Sequence, residues 1–169
     1  MHIPLYSIPE ELSIGKLSIM PHPRGGDWLL DEITSLHEAG VDILVSLLTF
    51  LEVSEFDLVE EEAFCRQHGI TYCSFPIKDR SVPPFSMHTF AFLEQLASYL
   101  SEGKHVALHC RQGLGRAALI AACILVLNGL TPDQAWTLLS KVRGYPVPET
   151  AEQRKWAVAF SQYHNLPPH

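Results

Sequence analysis

The segment Lys104–Arg116, with the sequence KHVALHCRQGLGR, places a thiol, a glycine-bearing turn and an arginine close together. The apolar residues before Cys110 are typical of a buried strand, and the apolar run after Arg116 predicts a helix. A helix N-terminus presents unpaired backbone N–H groups and the positive end of the helix dipole, so it attracts anions. Gly113 and Gly115 allow the backbone to curl so that successive N–H groups point inward. The segment therefore predicts a site for a phosphate group.

Two side chains of this segment could act on a bound phosphate. The planar guanidinium of Arg116 can donate to two phosphate oxygens at once, which a lysine cannot do. Cys110 lies at the entrance of the ring of donors, and thiols in such positions ionise with pKa values of about 3.5–7.5 rather than about 8.5. We expect a thiolate that attacks phosphorus, with an ordinary buried thiol as the alternative. The expected phosphate-binding residues are Arg111, Gln112, Gly113, Leu114, Gly115 and Arg116.

Transfer of a phosphoryl group also requires a proton for the leaving oxygen. Asp79 lies in a proline-rich segment, 76–84, directly after a predicted strand. In a parallel sheet this loop shares an edge with the loop after His109, so Asp79 could protonate the leaving oxygen and later activate water. Asp79 could instead simply cap its loop. Asp57 and Glu60–Glu62 are poorer candidates, because they fall in a charged helix start, where carboxylates complement the helix dipole.

The His109-Cys110-x5-Arg116 pattern, with Asp79 upstream, resembles the cysteine-dependent protein phosphatases and, within them, the dual-specificity group. The stretch from Phe75 to about Tyr163 is similar to the kinase-associated phosphatases of that group, above all in GLGRAALIAACILV and TPDQAWTLLSKVRG. The resemblance implies hydrolysis of phosphotyrosine, phosphoserine or phosphothreonine in proteins through a phosphocysteine intermediate, without a metal or organic cofactor. It also implies that His109 hydrogen-bonds the loop and lowers the pKa of the thiol.

Other positions extend or depart from the family pattern. The resemblance implies that Gln153 lies near the hydrolytic water, with a solvent-exposed helix face as the alternative. The side chains of Arg111 and Gln112 are expected to point outward and contact substrate, with Arg111 favouring an acidic neighbour of the phosphate. The family usually has Ser or Thr where this chain has Ala117, and that hydroxyl helps the sulfur to leave. We therefore expect Cys110 to be phosphorylated but phosphocysteine to be hydrolysed slowly.

Two other functions remain open at this point. The absence of a hydroxyl at Ala117 could make the chain a catalytically weak module that binds phosphorylated partners. The substrate could also be a non-protein phosphate such as a phosphoinositide or an RNA end. Lipid phosphatases, however, usually carry more lysine in this loop, and the net charge of −7 opposes docking to a membrane.

Composition sets further limits. The 169 residues correspond to one domain spanning 1–169, and the 47% hydrophobic content is that of a globular protein. With 19 acidic and 12 basic residues, binding to nucleic acid or to a membrane surface is not expected. No signal peptide or transmembrane span is predicted. The four cysteines (65, 73, 110 and 123) have no paired spacing, so we expect reduced thiols in a cytoplasmic protein. A regulatory disulfide of Cys110 with Cys73 or Cys65 stays open, as does the oligomeric state.

The elements that position these residues follow from hydrophobic periodicity and turn residues. Strands are predicted at Leu17–Met20, Val41–Leu48, Ile70–Ile77 and Val106–His109. Helices are predicted at 27–40 with Asp27 as N-cap, 51–69, 86–103, 117–127, 131–144 and about 149–163. This alternation indicates an α/β fold with a central, mainly parallel sheet of four or five strands and helices on both faces. Arg24 and Asp27 either line the pocket or belong to a plain strand-to-helix turn.

Overall fold

The computed structural model describes residues 3–9 and 15–167, and in these residues five strands form one sheet. The strands are β1 (Tyr6–Ser7), β2 (Lys16–Pro21), β3 (Ile43–Ser46), β4 (Thr71–Ser74) and β5 (His105–Cys110). Their order across the sheet is β1-β2-β5-β3-β4. All neighbouring strands are parallel except β1, which runs antiparallel to β2. The predicted α/β fold with a mainly parallel sheet is confirmed, although β1 was not predicted.

Helices cover both faces of the sheet. They are α1 (Leu29–Glu38), α2 (Phe50–Glu55), α3 (Glu61–Gln67), α4 (Met87–Ser101), α5 (Arg116–Leu127), α6 (Pro132–Arg143) and α7 (Ala151–His164). Successive strand residues point to opposite faces, so Leu108 packs in the core with α4 to α7, whereas Ala107 packs with α1 and α3. The six residues of β5 are all buried, as are the first eleven of α5. The loop between them is therefore held between two almost completely buried elements.

Several predicted boundaries are confirmed by the caps. Thr131 and Gln134 form a capping box at the start of α6, and Gly144 ends this helix in the left-handed conformation with φ 74°. Ser86 accepts a hydrogen bond from the N–H of Thr89 at the start of α4. In the described part of the chain, no helix is long and apolar enough to cross a membrane.

Two predictions about helices are wrong. A single helix over 51–69 is not formed, because the chain turns between α2 and α3, where Asp57 adopts a φ of 58°. The turn packs against Gly25, where an added Cβ would lie 1.9 Å from the Phe56 carbonyl oxygen, and Gly26 donates to the Asp57 carbonyl at 2.9 Å. Asp27 does not cap α1, since it lies inside a short 3-10 turn at 26–28 and makes no capping hydrogen bond.

Candidate active site

The residues from Cys110 to Arg116 form a loop from the C-terminal end of β5 into the first turn of α5. Gly113 has a φ of 77°, and a Cβ there would lie 2.9 Å from the Met20 carbonyl oxygen, so both conformation and space require glycine. Cys110 is 2% exposed, and its Sγ accepts a hydrogen bond from the backbone N–H of Ala117 at 3.4 Å. The thiol therefore lies at the N-terminus of α5, where the helix dipole favours negative charge.

Arg116 is 1% exposed and is held by a carboxylate that the sequence analysis did not identify. Its Nη1 and Nη2 donate to Oε1 and Oε2 of Glu52 at 2.7 and 2.9 Å, and Nη1 also donates to the Ile77 carbonyl at 2.8 Å. Burial alone would lower the pKa of Arg116, but the hydrogen bonds and charge of Glu52 raise it. Because Glu52 occupies the Nη1–Nη2 edge, a phosphate would be bound through the Nε–Nη2 edge.

Glu52 is positioned by the start of α2. It forms a capping box with Thr49, whose side chain and backbone N–H both bond the Glu52 carboxylate. Burial would raise the pKa of Glu52, but the hydrogen bonds from Arg116 and Thr49 lower it to about 2. The sequence signal that could have found it is T-x-x-E directly after β3, since this pattern fixes a helix start at the C-terminal edge of the sheet.

Asp79 lies at the same site, as its place after β4 suggested. Its Oδ1 accepts a hydrogen bond from Arg116 Nη2 at 3.1 Å, across 37 residues of sequence. Its Oδ2 lies 3.9 Å from Nε of Arg111. The side chain is 39% exposed, so the carboxylate can reach a ligand in the loop.

We call residues 76–84 the acid loop. Its backbone is held by α7, and the side chain of Arg80 is held by Glu149, which lies just before that helix. The contacts are Arg80 Nη1 with Glu149 Oε2 (3.3 Å), Gln153 Nε2 with Ser81 O (3.2 Å), and Trp156 Nε1 with Pro83 O (2.9 Å). Gln153 and Trp156 are three residues apart, which places them along one side of α7. This side of α7, together with Glu149 just before the helix, therefore holds the loop that carries Asp79.

Gln153 is fully buried, so the alternative of a solvent-exposed helix face is wrong. Its Oε1 accepts from the N–H of Thr150 at 3.2 Å in a capping box, and its Nε2 donates to Ser81 O. The amide lies beside the phosphate loop, since a Cβ at Gly115 would be 3.0 Å from Nε2. Both ends of the amide thus have partners in the protein, and the expected role toward water stays a prediction.

His109 is also fully buried, but within the described residues its ring does not make the expected hydrogen bond to the loop. Its Nε2 lies 2.8 Å from Oε2 of Glu61, and its Nδ1 has no hydrogen-bond partner within residues 3–9 and 15–167. Glu61 lies in the first turn of α3, as predicted, but it is only 1% exposed and its carboxylate faces His109 rather than solvent. Burial and the Glu61 carboxylate together raise the pKa of the neighbouring Tyr72.

Arg111 and Gln112 lie on the exposed side of the loop. The Arg111 side chain turns toward α2, with Nε 3.6 Å from Glu52 Oε2 and Nη2 3.7 Å from Glu55 Oε2, and its guanidinium lies 4.9 Å from the ring centre of Phe56. These carboxylates offset its charge and weaken the expected preference for an acidic neighbour of the phosphate. The Gln112 carbonyl accepts from Arg143 at 3.2 Å, and Leu114 packs partly buried against the core.

Arg24 belongs to the strand-to-helix turn: it forms an ion pair with Glu32 and its guanidinium lies 4.4 Å from the ring centre of Trp28. A disulfide between Cys110 and Cys73 does not fit the sheet. β3 lies between β4 and β5, with Val45 paired to both Cys73 and Leu108. Two strand spacings of about 4.8 Å exceed the roughly 7 Å limit between the Cα atoms of a disulfide. All four cysteines are free, and burial raises the pKa of Cys65 to about 12.

The fold and the site define the class of the cysteine-dependent phosphatases. Comparison with family models gives the family: the model described as a polymorphic toxin system DSP-PTPase phosphatase matches residues 19–130, which is more than half of the chain. The chain belongs to this family of dual-specificity-type phosphatase domains.

Individual relatives agree with this assignment. The chain is 29% identical to cyclin-dependent kinase inhibitor 3 of Rattus norvegicus over 127 residues, 74% of this chain and 59% of that protein. It therefore spans about three fifths of the length of the curated relatives it matches first. The crystal structure of kinase associated phosphatase with its catalytic cysteine replaced by serine has a TM-score of 0.87 at 21% identity, covering 96% of both chains. Tk-PTP in its active form has a TM-score of 0.71 at 22% identity, covering 88% and 92%. These two structures share the fold.

Proposed function

We propose that this chain is a phosphoric monoester hydrolase that removes phosphate from phosphotyrosine, phosphoserine and phosphothreonine in proteins. The observation that carries the proposal is the 3.1 Å hydrogen bond between Asp79 and Arg116, which brings a carboxylate to the loop that begins with the Cys110 thiol. Phosphoryl transfer needs a nucleophile, a cationic clamp and a proton donor, and these three groups supply them.

In the first step the phosphate lies in the loop 111–116, bound by backbone N–H groups and by Nε and Nη2 of Arg116, where it replaces the Asp79 carboxylate on Nη2. Sγ of Cys110 attacks phosphorus in line, the bond from phosphorus to the ester oxygen breaks, and its electron pair passes to that oxygen. Asp79, in its protonated form, gives the proton to the leaving oxygen. The ion pair with Glu52 keeps the Arg116 guanidinium in one orientation throughout, so little reorganisation is needed.

In the second step water attacks the phosphorus of phosphocysteine. The S–P bond breaks, its electron pair returns to Sγ, and the proton released by water passes to Asp79, which restores the acid for the next cycle. The N–H of Ala117, 3.4 Å from Sγ, stabilises the departing thiolate. The substrate class is supported by the family and by relatives that are named as phosphatases or kinase inhibitors.

The remaining expectations belong to the same proposal. A single domain spanning 1–169 is supported by one sheet with helices from both halves of the chain on its faces. A reducing compartment such as the cytoplasm is supported by four free cysteines.

Turnover of p-nitrophenyl phosphate tests the proposal. Cys110→Ser should abolish turnover while vanadate or a phosphopeptide still binds, because serine keeps the loop but is a far weaker nucleophile. Cys73→Ser, a thiol outside the loop, is the matched control and should stay within about twofold of wild type. EDTA should leave the rate unchanged.

Normal hydrolysis by Cys110→Ser would refute the mechanism. Wild-type protein that binds phosphopeptides without turnover would show a binding module instead. A panel of phosphopeptides and phosphoinositides then decides the substrate class, and faster turnover of the phosphoinositides would overturn the assignment to proteins.

A further inference from the structure

The strand β4 forms one edge of the sheet, and its outer side is open. It is the last strand in the order and pairs only with β3, where the N–H of Phe75 donates to the Ser46 carbonyl at 2.9 Å. A parallel strand bonds one neighbour through every second residue, so the backbone N–H and C=O groups of Tyr72 and Ser74 point to the outer side. Neither N–H has an acceptor in the described part of the chain. Such an edge is a template for pairing with a further extended chain.

An apolar groove lies beside this open edge. Its volume is about 310 Å³, and it lies between α2, α3 and β4, where Tyr72 and Ser74 form part of the lining. Phe50 and Val59 also line it and are 83% and 69% exposed. Exposed apolar side chains that are grouped along one groove are typical of a surface that binds a partner. A chain laid along β4 would direct every second side chain into this groove. We call the groove and the outer side of β4 the docking groove.

The surroundings of the docking groove are acidic. The segment from α2 through α3 has exposed carboxylates at Glu55, Asp57, Glu60 and Glu62, and Glu62 itself lines the groove. The same segment contains no lysine and one arginine, Arg66, which is paired with Glu62 at 3.3 Å. A second copy of this chain would bring the same acidic segment to the edge and be repelled, whereas a basic chain would be attracted. The charge therefore favours a partner rich in lysine or arginine.

Both walls of the docking groove lead to the active site. Ser74 ends β4 two residues before the acid loop begins, and α2 carries Glu52, which holds Arg116. Asp79 is the fifth residue after Ser74, so their Cα atoms are at most about 18 Å apart. A substrate chain spans that distance with roughly five or six extended residues. The groove therefore lies within reach of the polypeptide whose phosphorylated residue occupies the loop 111–116.

We propose that the docking groove binds an extended, basic segment of the substrate protein, roughly five or six residues from the phosphorylated residue, an inference that rests on the proposed function. The segment adds a strand to the sheet through hydrogen bonds with the backbone of Tyr72 and Ser74. Its apolar side chains, at every second position, enter the groove, and its lysine or arginine side chains lie near Glu62 and the neighbouring carboxylates. The docking groove thus selects substrates by sequence outside the phosphate loop.

Phosphotyrosine peptides with three outer segments test the proposal on the full chain. A five-residue glycine–serine spacer joins the phosphotyrosine to KVTVTK, to KGTGTK, which lacks the apolar side chains, or to EVTVTE, which has the opposite charge, and each segment is placed on either side. Wild type should prefer the KVTVTK peptide in one of the two orders by about 5- to 10-fold in kcat/KM, through a lower KM at similar kcat. p-Nitrophenyl phosphate, which has no outer segment, reports the chemistry alone.

Two substitutions change the docking groove without touching the phosphate loop. Ser74→Pro removes the outward N–H, which an edge strand tolerates, and should lower kcat/KM on the KVTVTK peptide by about 3- to 10-fold, whereas Ser74→Ala keeps the N–H and should match wild type. Val59→Glu places a charge in the groove and should cause a loss of at least about fivefold, even where Ser74→Pro disturbs folding. Val158→Glu, the same change at an exposed valine of α7, is its control. All four should hydrolyse p-nitrophenyl phosphate within about twofold of wild type.

A charge reversal tests the acidic surroundings. Glu62→Lys should reduce the preference for KVTVTK over EVTVTE by about fivefold or more, because a cation then lines the groove. Glu94→Lys makes the same change at an exposed position of α4 and should keep the preference.

The outcomes separate the two proposals. Wild-type protein that hydrolyses neither p-nitrophenyl phosphate nor any phosphopeptide would refute the proposed function itself. Turnover with equal kcat/KM on the three outer segments in both orders would overturn the docking groove alone, as would equal losses on peptide and p-nitrophenyl phosphate in Val59→Glu. A wild-type dimer in analytical ultracentrifugation that Val59→Glu converts to a monomer would show that a second copy occupies the edge, and would overturn the assignment to substrate.

Discussion

Ala117 gives the Cys110 sulfur a backbone donor but no side-chain donor. Its N–H lies 3.4 Å from Sγ, and the residue itself is fully buried at the first turn of α5. In the second step sulfur becomes a thiolate leaving group, so each donor aimed at Sγ lowers the barrier. A hydroxyl at residue 117 would add one hydrogen-bond donor to Sγ, the atom on which negative charge develops in this step.

Ala117→Ser should therefore accelerate phosphocysteine hydrolysis by about 10-fold or more, with little change in the burst rate. The measurement is rapid mixing of the protein with p-nitrophenyl phosphate, in which the burst of p-nitrophenol reports formation of phosphocysteine and the steady rate reports its hydrolysis. The burst should become smaller relative to the steady rate. Ala118→Ser, which adds the same hydroxyl one residue further along this buried helix, is the control and should not accelerate hydrolysis. Absence of a burst in wild type, with equal turnover in both proteins, would contradict the expectation.

The phosphate loop could be predicted residue by residue, whereas the groups that support it could not. Cys110 and Arg116 belong to one short segment, so sequence spacing alone shows that a strand and a helix bring them together. Glu52 and Glu61 lie in separate helices. Glu61 is in the run Glu60–Glu62, which is typical of an exposed helix start, and Glu52 stands alone between Leu51 and Val53. Charge alone does not reveal that a carboxylate is buried with a cationic or imidazole partner.

Among the elements, α7 contributes most to the position of the acid. The indole N–H of Trp156 donates to the Pro83 carbonyl at 2.9 Å, and the ring is 7% exposed. Without this bond the acid loop would keep its contacts with Gln153 and Glu149 but would lose its hydrogen bond to α7 at Pro83. Asp79 would then spend less time aligned with the leaving oxygen, and alignment decides the rate of proton transfer.

Trp156→Phe should lower the rate on phenyl phosphate by about 3- to 10-fold, the usual value of one hydrogen bond, and should affect p-nitrophenyl phosphate less. The reason is that nitrophenolate leaves readily without a proton, whereas phenolate needs one. Trp136→Phe is a matched control, because the Trp136 indole is buried in α6 and its N–H has no hydrogen-bond partner in the described part of the chain. Equal loss on the two substrates would show that Trp156 only stabilises the fold.

The boundaries of single elements were predictable where local signals determine them. The box formed by Thr131 and Gln134 starts α6, and Gly144 ends it. The break between α2 and α3 was not predictable, because it depends on Asp57 packing against Gly25, far away in sequence. Periodicity describes which face of an element is apolar, but it does not show where a distant turn needs space.

At the scale of the whole molecule, His105 links the stability of the sheet to pH. It begins the central strand β5 and is 6% exposed. Its Nε2 lies 2.8 Å from the Ser18 hydroxyl on β2, and its backbone N–H donates to Asp42 at 2.8 Å. Burial, with a smaller effect of Lys16, lowers the pKa of His105 from 6.5 to about 4. The folded protein therefore holds a neutral imidazole at a pH where the unfolded chain binds a proton.

The sign of the effect follows from this difference. Below pH 6.5 the imidazole of His105 binds a proton in the unfolded chain but not yet in the folded protein. The contribution of His105 to the free energy of unfolding is therefore complete above pH 6.5 and is lost as pH falls toward 4. The loss should reach roughly 3 kcal/mol in the free energy of unfolding, since each pKa unit corresponds to about 1.4 kcal/mol. Urea unfolding at pH 7, 5.5 and 4.5 measures it. His105→Gln should remove this part of the pH dependence, whereas His88→Gln, at an exposed position of α4, should keep it. The same decline with pH in wild type and His105→Gln would mean that other groups cause the acid sensitivity of the fold.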